Sequence, residues 1–256
     1  MILGRAQRAR IQQIARGRSD EPLRLLEGAK AVRDALDAGV VKELWLRRDL
    51  EPELATDLRA RALRGRVPVG EGDPGDFDRL GGTVSPQGVL ALVADTATTL
   101  DAVLGAEGAL LWLDGIQDPG NVGAVVRVAA AFDVAGLLVG HGSADPLGHK
   151  ALRASAGLAL TLPFARASAA EIAAACEARD RTVWALDVGG DDVFEVAAAP
   201  SGLVLALGAE GPGLSDSARA AAARRVGIPL APSVESLNAA VAVGIAAAWL
   251  FRRTVR

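Results

Sequence analysis

The sequence predicts an α/β protein of two units, the second organised on a parallel sheet. Three observations carry this. Apolar segments of strand period alternate with helical ones along the whole chain, as expected of strands separated by helices. Residues 109–113 form an unbroken apolar run, the mark of a strand buried on both faces. Residues 95–100, Asp-Thr-Ala-Thr-Thr-Leu, are polar, small and without period, and so mark a boundary. The expected domains are residues 1–95, a linker at 96–106, and residues 107–256.

In the first unit, Arg5–Ala15 reads as a helix and 23–26 as a short strand. Gly28 opens a helix running through Ala38, 41–46 is a strand, and 51–63 is helical. Strands follow at 67–69 and 88–94. In the second unit the strands are 109–113, 136–139, 158–162, 182–186, 203–207 and 226–230. Helices are expected at 122–132, 150–156, Ala169–Ala178, 214–224 and 236–252.

Composition narrows the function. Half of the 256 residues are hydrophobic, enough for a sizeable core. No apolar run reaches the roughly 18 residues of a membrane span, the best candidate being 239–251. Arg5, Arg8 and Arg10 fall where a secretory apolar core would begin, so a cytoplasmic protein is expected. A single cysteine, Cys176, excludes an internal disulfide and a cysteine-rich metal site, and its alanine-rich helical context reads as packing. Two histidines are too few for a typical zinc enzyme. Net charge is −3, but basic residues gather in the N-terminal third: five arginines within the first 18 residues, Arg47-Arg48, and residues 59–66. A solvated helix face explains any one cluster. Three together suggest a phosphate-facing surface.

Three loops leave buried strands and hold residues that packing does not explain. The first runs Asp114-Gly-Ile-Gln-Asp-Pro-Gly-Asn121-Val-Gly-Ala-Val-Val-Arg127. Asn121 suits a helix cap. Arg127 sits among valines and alanine, where a long charged side chain calls for a partner. The second, Gly208-Ala-Glu210-Gly-Pro-Gly213-Leu214, is a glycine-rich strand-to-helix turn that lets a ligand approach the backbone. Its G-x-x-G-x-G order reverses the dinucleotide fingerprint, and it lacks the lysine of a P-loop. The third runs from Gly227-Ile228-Pro229 to Ser236-Leu237-Asn238 at the start of the last helix. Two capping residues two apart would be redundant, which hints at a second task for one of them.

In order and spacing these loops resemble the three motifs of the SpoU (TrmH-like) family of the SPOUT methyltransferase class: N-x-G-A-x-x-R, G-x-E-G-x-G-L, and I-P followed by S-L-N-x-x-x-A. The resemblance covers about residues 107–256, and the segment Lys150-Ala-Leu-Arg153-Ala-Ser155-Ala-Gly157 resembles a helix of the same family. Glu27-Gly28 stands where members often carry V-E-G in a small ribosomal-protein-like RNA-binding domain. Ala209 departs from the asparagine that many members place before the glutamate.

The resemblance implies a trefoil knot in the C-terminal domain, which the general rule against threaded chains would not anticipate. It implies S-adenosylmethionine held by Leu207, Gly208, Gly213, Ile228 and Leu237. It implies methyl transfer to an RNA ribose 2′-hydroxyl, with Arg127, Asn121, Glu210, Ser236 and Asn238 as catalytic residues. On this reading Glu210 positions Arg127 and Asn121, while Ser236 and Asn238 orient the ribose. A guanidinium is no base at its ordinary pKa, so Arg127 would act with a substrate phosphate or be strongly perturbed. No metal is implied. A homodimer is, through the apolar closing helix with Ala239, Ala240, Ala246, Ala247, Ala248 and Trp249. An N-terminal RNA-binding unit favours rRNA, including the large-subunit 23S RNA, over tRNA. A ribosome-protecting resistance methylase shares the layout. Readings of another class are an RNA-binding protein without catalysis and a nucleotide oxidoreductase. The intact polar set argues against the first, and the reversed glycine order against the second.

Overall fold

The computed structural model describes residues 1–80 and 87–250. The chain forms two compact units. The first takes Met1–Thr96 together with Leu147–Thr161, and the second takes Ala97–Pro146 and the chain from Leu162 onward.

The first unit runs α1 (Arg5–Ala15), β1 (Leu23–Glu27), α2 (Ala29–Asp37), β2 (Val41–Arg47), α3 (Pro52–Arg64), β3 (Val69–Gly72), α4 (Pro74–Leu80) and β4 (Val89–Ala94). Its sheet has the order β1-β4-β2-β3, antiparallel except for the parallel pair β2 and β3. Ile11 and Ile14 of α1 pack with Leu25, Trp45, Phe77, Leu90 and Leu92 into one core. Gly70 is required there, because a Cβ would lie 2.2 Å from the Trp45 ring. Acids answer most of the clustered arginines: Arg8 pairs with Asp76, Arg10 with Glu21 and Glu43, Arg48 with Asp73, Arg59 with Glu71, and Arg61 with Asp37 and Asp57. Arg5, Arg16, Arg18, Arg64 and Arg66 form no ion pair among the described residues. The basic surface expected from the sequence is therefore carried by fewer arginines than the clusters contain.

In the second unit come α5 (Leu100–Leu104), β5 (Leu110–Asp114), α6 (Pro119–Ala131) and β6 (Gly136–Gly140). Helix α7 (His149–Ala154) belongs to the first unit, where it packs on β1. The second unit resumes with β7 (Phe164–Ala167), α8 (Ala169–Ala178), β8 (Val183–Asp192), β9 (Val204–Gly208), α9 (Asp216–Ala221), β10 (Ala222–Gly227) and α10 (Ala239–Leu250). Six strands in the order β10-β8-β9-β5-β6-β7 form a wholly parallel sheet. Strands β5 and β6 are buried at every position, as continuous apolar runs require. Trp112, Leu138, Val204 and Ala206 lead the core, which also takes in Cys176. Burial pushes the Cys176 thiol up to about 11.

Several expected elements differ. The strand expected at 158–162 is a single 3-10 turn, Leu158–Leu160, entered through Gly157 at φ +83°, and the real strand is the next segment, β7. The helix expected at 214–224 is cut to α9, because Ala222 onward pairs with β8. The strand expected at 226–230 ends at Gly227, and the expected linker at 96–106 contains α5. Segment 147–161, read as part of the second domain, packs in the first unit. The closing helix starts at Ala239, and residues 251–252 of its expected span lie outside the described residues. No described helix is long and apolar enough to cross a membrane.

Candidate functional site

In open parallel sheets ligands collect outside the carboxyl ends of the strands, where neighbouring connections diverge. Strands β5 and β9 are such neighbours here: from β5 the chain proceeds to β6 and β7 on one side, while β8 and β10 lie on the other. The loops leaving β5, β9 and β10 carry the three motifs.

The loop after β5 is held by Ser143, whose Oγ accepts from the N–H groups of Gly115 (2.9 Å) and Ile116 (3.0 Å) and donates to the Leu113 carbonyl. Asp118 caps α6 by accepting from the Gly120 N–H, and Pro119 occupies the first turn, where a missing N–H costs nothing. Asn121 is thus not the cap that the sequence suggested. Its side chain is free to turn toward the second motif.

After β9 the chain doubles back on itself. Ala209 and Gly213 exchange backbone hydrogen bonds of 3.1 and 3.0 Å. Gly208 permits this contact, since a Cβ there would lie 2.2 Å from the Gly213 carbonyl carbon. Gly211 and Gly213 adopt φ of +88° and +72°, a region that favours glycine. The buried Asp114 accepts from the Ser215 N–H at 2.6 Å and ties this loop to β5.

Glu210 projects from that turn. Its Oε1 accepts from Asn121 Nδ2 at 2.9 Å and from Asn238 Nδ2 at 3.2 Å. Asn238 Nδ2 also donates to Asn121 Oδ1 at 2.8 Å. Asn238 Oδ1 accepts from the Ala240 N–H at 3.0 Å and so is the one of the two capping candidates that caps α10. One asparagine performs both tasks, which frees the exposed Ser236 hydroxyl. The three motifs therefore meet in a closed group of one carboxylate and two amides.

Arg127 does not join this group. Six residues separate it from Asn121, which places the two side chains about 120° apart around α6. It is exposed and has no hydrogen bond or ion pair among the described residues. Neither the apolar setting nor the Glu210 contact expected from the sequence is found. Glu210 holds Asn121, as expected, and takes Asn238 in place of Arg127.

A cavity of about 360 Å³ lies beside the triad. Leu207, Gly208, Gly213, Ile228 and Leu237 all line it. One wall comes from Leu186, Asp187 and Val188. These belong to a five-residue excursion in β8: Ala185 pairs with Arg225, but the next partner of β10, Val226, faces Asp191. No sequence signal pointed to that wall. Leu186, Leu207, Ile228, Leu230 and Leu237 make the interior apolar, and Glu210, Glu235 and Asp187, the last paired with Arg225 at 3.2 Å, share the lining with the cation Arg219. Such a lining suits a ligand with a flat apolar part and a positive charge. Among the described residues no group of three or more His, Cys, Asp or Glu is placed to hold a metal ion.

The SpoU rRNA Methylase family pattern matches residues 108–248, more than half of the chain. A second pattern, RNA 2'-O ribose methyltransferase substrate binding, matches residues 25–98. The chain is 36% identical over 259 aligned residues to an uncharacterized tRNA/rRNA methyltransferase of Mycobacterium ulcerans, covering 97% of this chain and 83% of that one. Among solved structures it resembles an AdoMet-bound rRNA methyltransferase from Sinorhizobium meliloti (TM-score 0.87, 26% identity, 97% and 95% of the two chains covered). It also resembles the SpoU methyltransferase AviRb from Streptomyces viridochromogenes in complex with AdoMet (TM-score 0.85, 27% identity, 98% and 99% covered). The chain belongs to the SpoU rRNA methylase family.

Proposed function

We propose that the protein is an S-adenosylmethionine-dependent RNA 2′-O-ribose methyltransferase acting on rRNA. The observation that carries this reading is the convergence of three loops. Five residues expected to hold the cofactor line one cavity, and the Asn121–Glu210–Asn238 triad lies at its edge.

The apolar walls fit the adenine and the carboxylates fit a cofactor that carries a positive sulfur and an ammonium group. When bound, S-adenosylmethionine supplies a methyl group already activated by the sulfonium. The protein's share is then to place a ribose oxygen and assist its deprotonation. The triad fixes the amide groups of Asn121 and Asn238 before substrate arrives, and Ser236 offers an uncommitted hydroxyl. Arg127 presents its guanidinium donors to a phosphate of the incoming RNA, with no acid paired to it among the described residues.

The same reading includes the trefoil knot formed by the loops after β9 and β10, a cytoplasmic setting, and a homodimer. Val241 of α10 is 51% exposed, and Ile245 and Ala248 beside it are half-buried, which supports a second copy covering this face. Arg127 lies outside the cofactor cavity of its own protomer, which supports completion of the site by that copy. The preference for rRNA over tRNA rests on the N-terminal unit and its uncommitted arginines.

Incubation with labelled S-adenosylmethionine and, separately, unmodified rRNA and tRNA tests the proposal. The expected result is label in rRNA, mapped to a ribose and lost in Arg127→Ala. Label in tRNA alone would move the substrate assignment. No label in RNA or ribosomal particles, with no cofactor binding by calorimetry, would leave an RNA-binding protein without catalysis.

A further inference from the structure

A second cavity of about 320 Å³ lies on the other side of the Glu210 turn. Ala209, Glu210 and Pro212 line both cavities. The second is otherwise walled by the loop after β5 and the first turn of α6, with Gln117, Asp118 and Asn121 as their polar side chains. It therefore sits at the crevice where the connections from β5 and β9 diverge, a preferred position for ligands.

Its polar groups are not equally available. Asn121 and Glu210 are committed to the triad, and Asp118 caps α6. Gln117 is exposed, and its carboxamide makes no hydrogen bond among the described residues. A carboxamide holds a donor and an acceptor side by side, the pattern that reads a nucleobase edge. RNA recognition commonly splays a base from its strand and reads it in this manner.

Resting on the methyltransferase reading above, a further assignment follows. A nucleotide with its ribose at the shared turn must place its remaining bulk away from the cofactor, on the far side. We propose that the second cavity takes the base of the target nucleotide and that Gln117 reads its edge. Gln117 is then a specificity-determining residue, separate from the groups that act on the ribose.

The test uses the full-length protein and four transcripts that differ only at the nucleotide the native enzyme methylates. Native protein should prefer one base by on the order of tenfold or more in kcat/KM, the discrimination expected of a paired base contact. Gln117→Ala should bring the four values to within about threefold of one another, with cofactor affinity unchanged. Gln117→Asn, which retains a shorter carboxamide, should fall between. An unaltered preference in Gln117→Ala would overturn the proposal, as would an equal loss on all four transcripts. Failure of the native protein to bind the cofactor or methylate any transcript would instead strike the underlying reading.

Discussion

Both units pair many of their arginines with acids, but the arginines at their candidate RNA-facing positions differ in setting. In the first, Arg8, Arg10 and Arg61 are matched with acids, some with two. In the second, Arg166, Arg179, Arg224 and Arg225 are also paired, but Arg127 has no partner among the described residues, and the motif carboxylate Glu210 is engaged by two asparagines. A paired guanidinium is already neutralised and serves the fold. An unpaired one on the exposed side of a helix keeps its donors uncommitted. In a chain where arginine greatly outnumbers lysine, pairing thus sets Arg127 apart from Arg8, Arg10 and Arg61.

The sharpest way to break this contrast is Arg127→Ala. It should lower methyl transfer by on the order of 10²–10³-fold, as loss of a preorganised charge does, with thermal midpoint and cofactor affinity unchanged. A midpoint several degrees lower would place Arg127 with the structural arginines. Gly208→Ala comes next. The added Cβ collides with the Gly213 backbone, so the substitution should cost about 1–3 kcal/mol in chemical denaturation and weaken cofactor binding measured by calorimetry. Full cofactor affinity with unchanged stability would show that the turn opens without cost.

Arg10→Ala probes the other side. Its two ion pairs are about one-third exposed, so the loss should be about 1 kcal/mol or less, with methylation spared. Impaired RNA binding at native stability would mean that this arginine, too, faces the substrate.

The smallest effects lie in the response to pH, where Asp57 of the first unit and Cys176 of the second should act with opposite sign. Hydrogen bonds from Arg61 and Arg33 hold the Asp57 carboxyl below its ordinary range. A depressed value contributes stability that is complete above the unfolded pKa, near 3.9. It is lost as pH falls through the lower folded value. Asp57→Asn should therefore lose less thermal stability than the native chain between neutral pH and about pH 3. Equal losses would assign acid sensitivity to other groups. Cys176 is raised to about 11 by burial, so its contribution is complete below the ordinary thiol range and is lost as pH climbs to that value. Thiol titration should find it unreactive at neutral pH until the chain unfolds, and prompt reaction in the native state would contradict its burial.

Local signals were legible where they were strong. The bounds expected for α1 and α8 are those found, because a helical period with a clear start needs no distant partner. At α8 that start is Ser168 with Glu171 in a capping box. Alternating leucines at 158, 160 and 162 suggested a strand, but a strand needs a neighbour, and Gly157 turns the chain into a 3-10 turn instead. The alanine-rich run after Ala221 has helical propensity, yet pairing with β8 overrides it. In the site, the motifs named all five cavity residues and the three members of the triad. Of the two partners expected for Glu210, Asn121 is found, but Asn238 stands in place of Arg127, because contacts across 89 and 28 residues leave no local pattern. The Asp187 wall escaped for the same reason, since it exists only through the register shift of β8 against β10.

The excursion of residues 147–161 bears on how this architecture can be rebuilt. The chain enters the first unit a second time, and neither unit is one continuous stretch. Leu152 of α7 is fully buried, and His149 Nε2 stands 3.4 Å from the buried Glu27 at the end of β1. A chimera that replaces residues 1–96 with another recognition module would keep a helix shaped for a sheet it no longer has. The N-terminal unit is therefore not a detachable cassette, and exchanging it calls for two cuts in the gene rather than one.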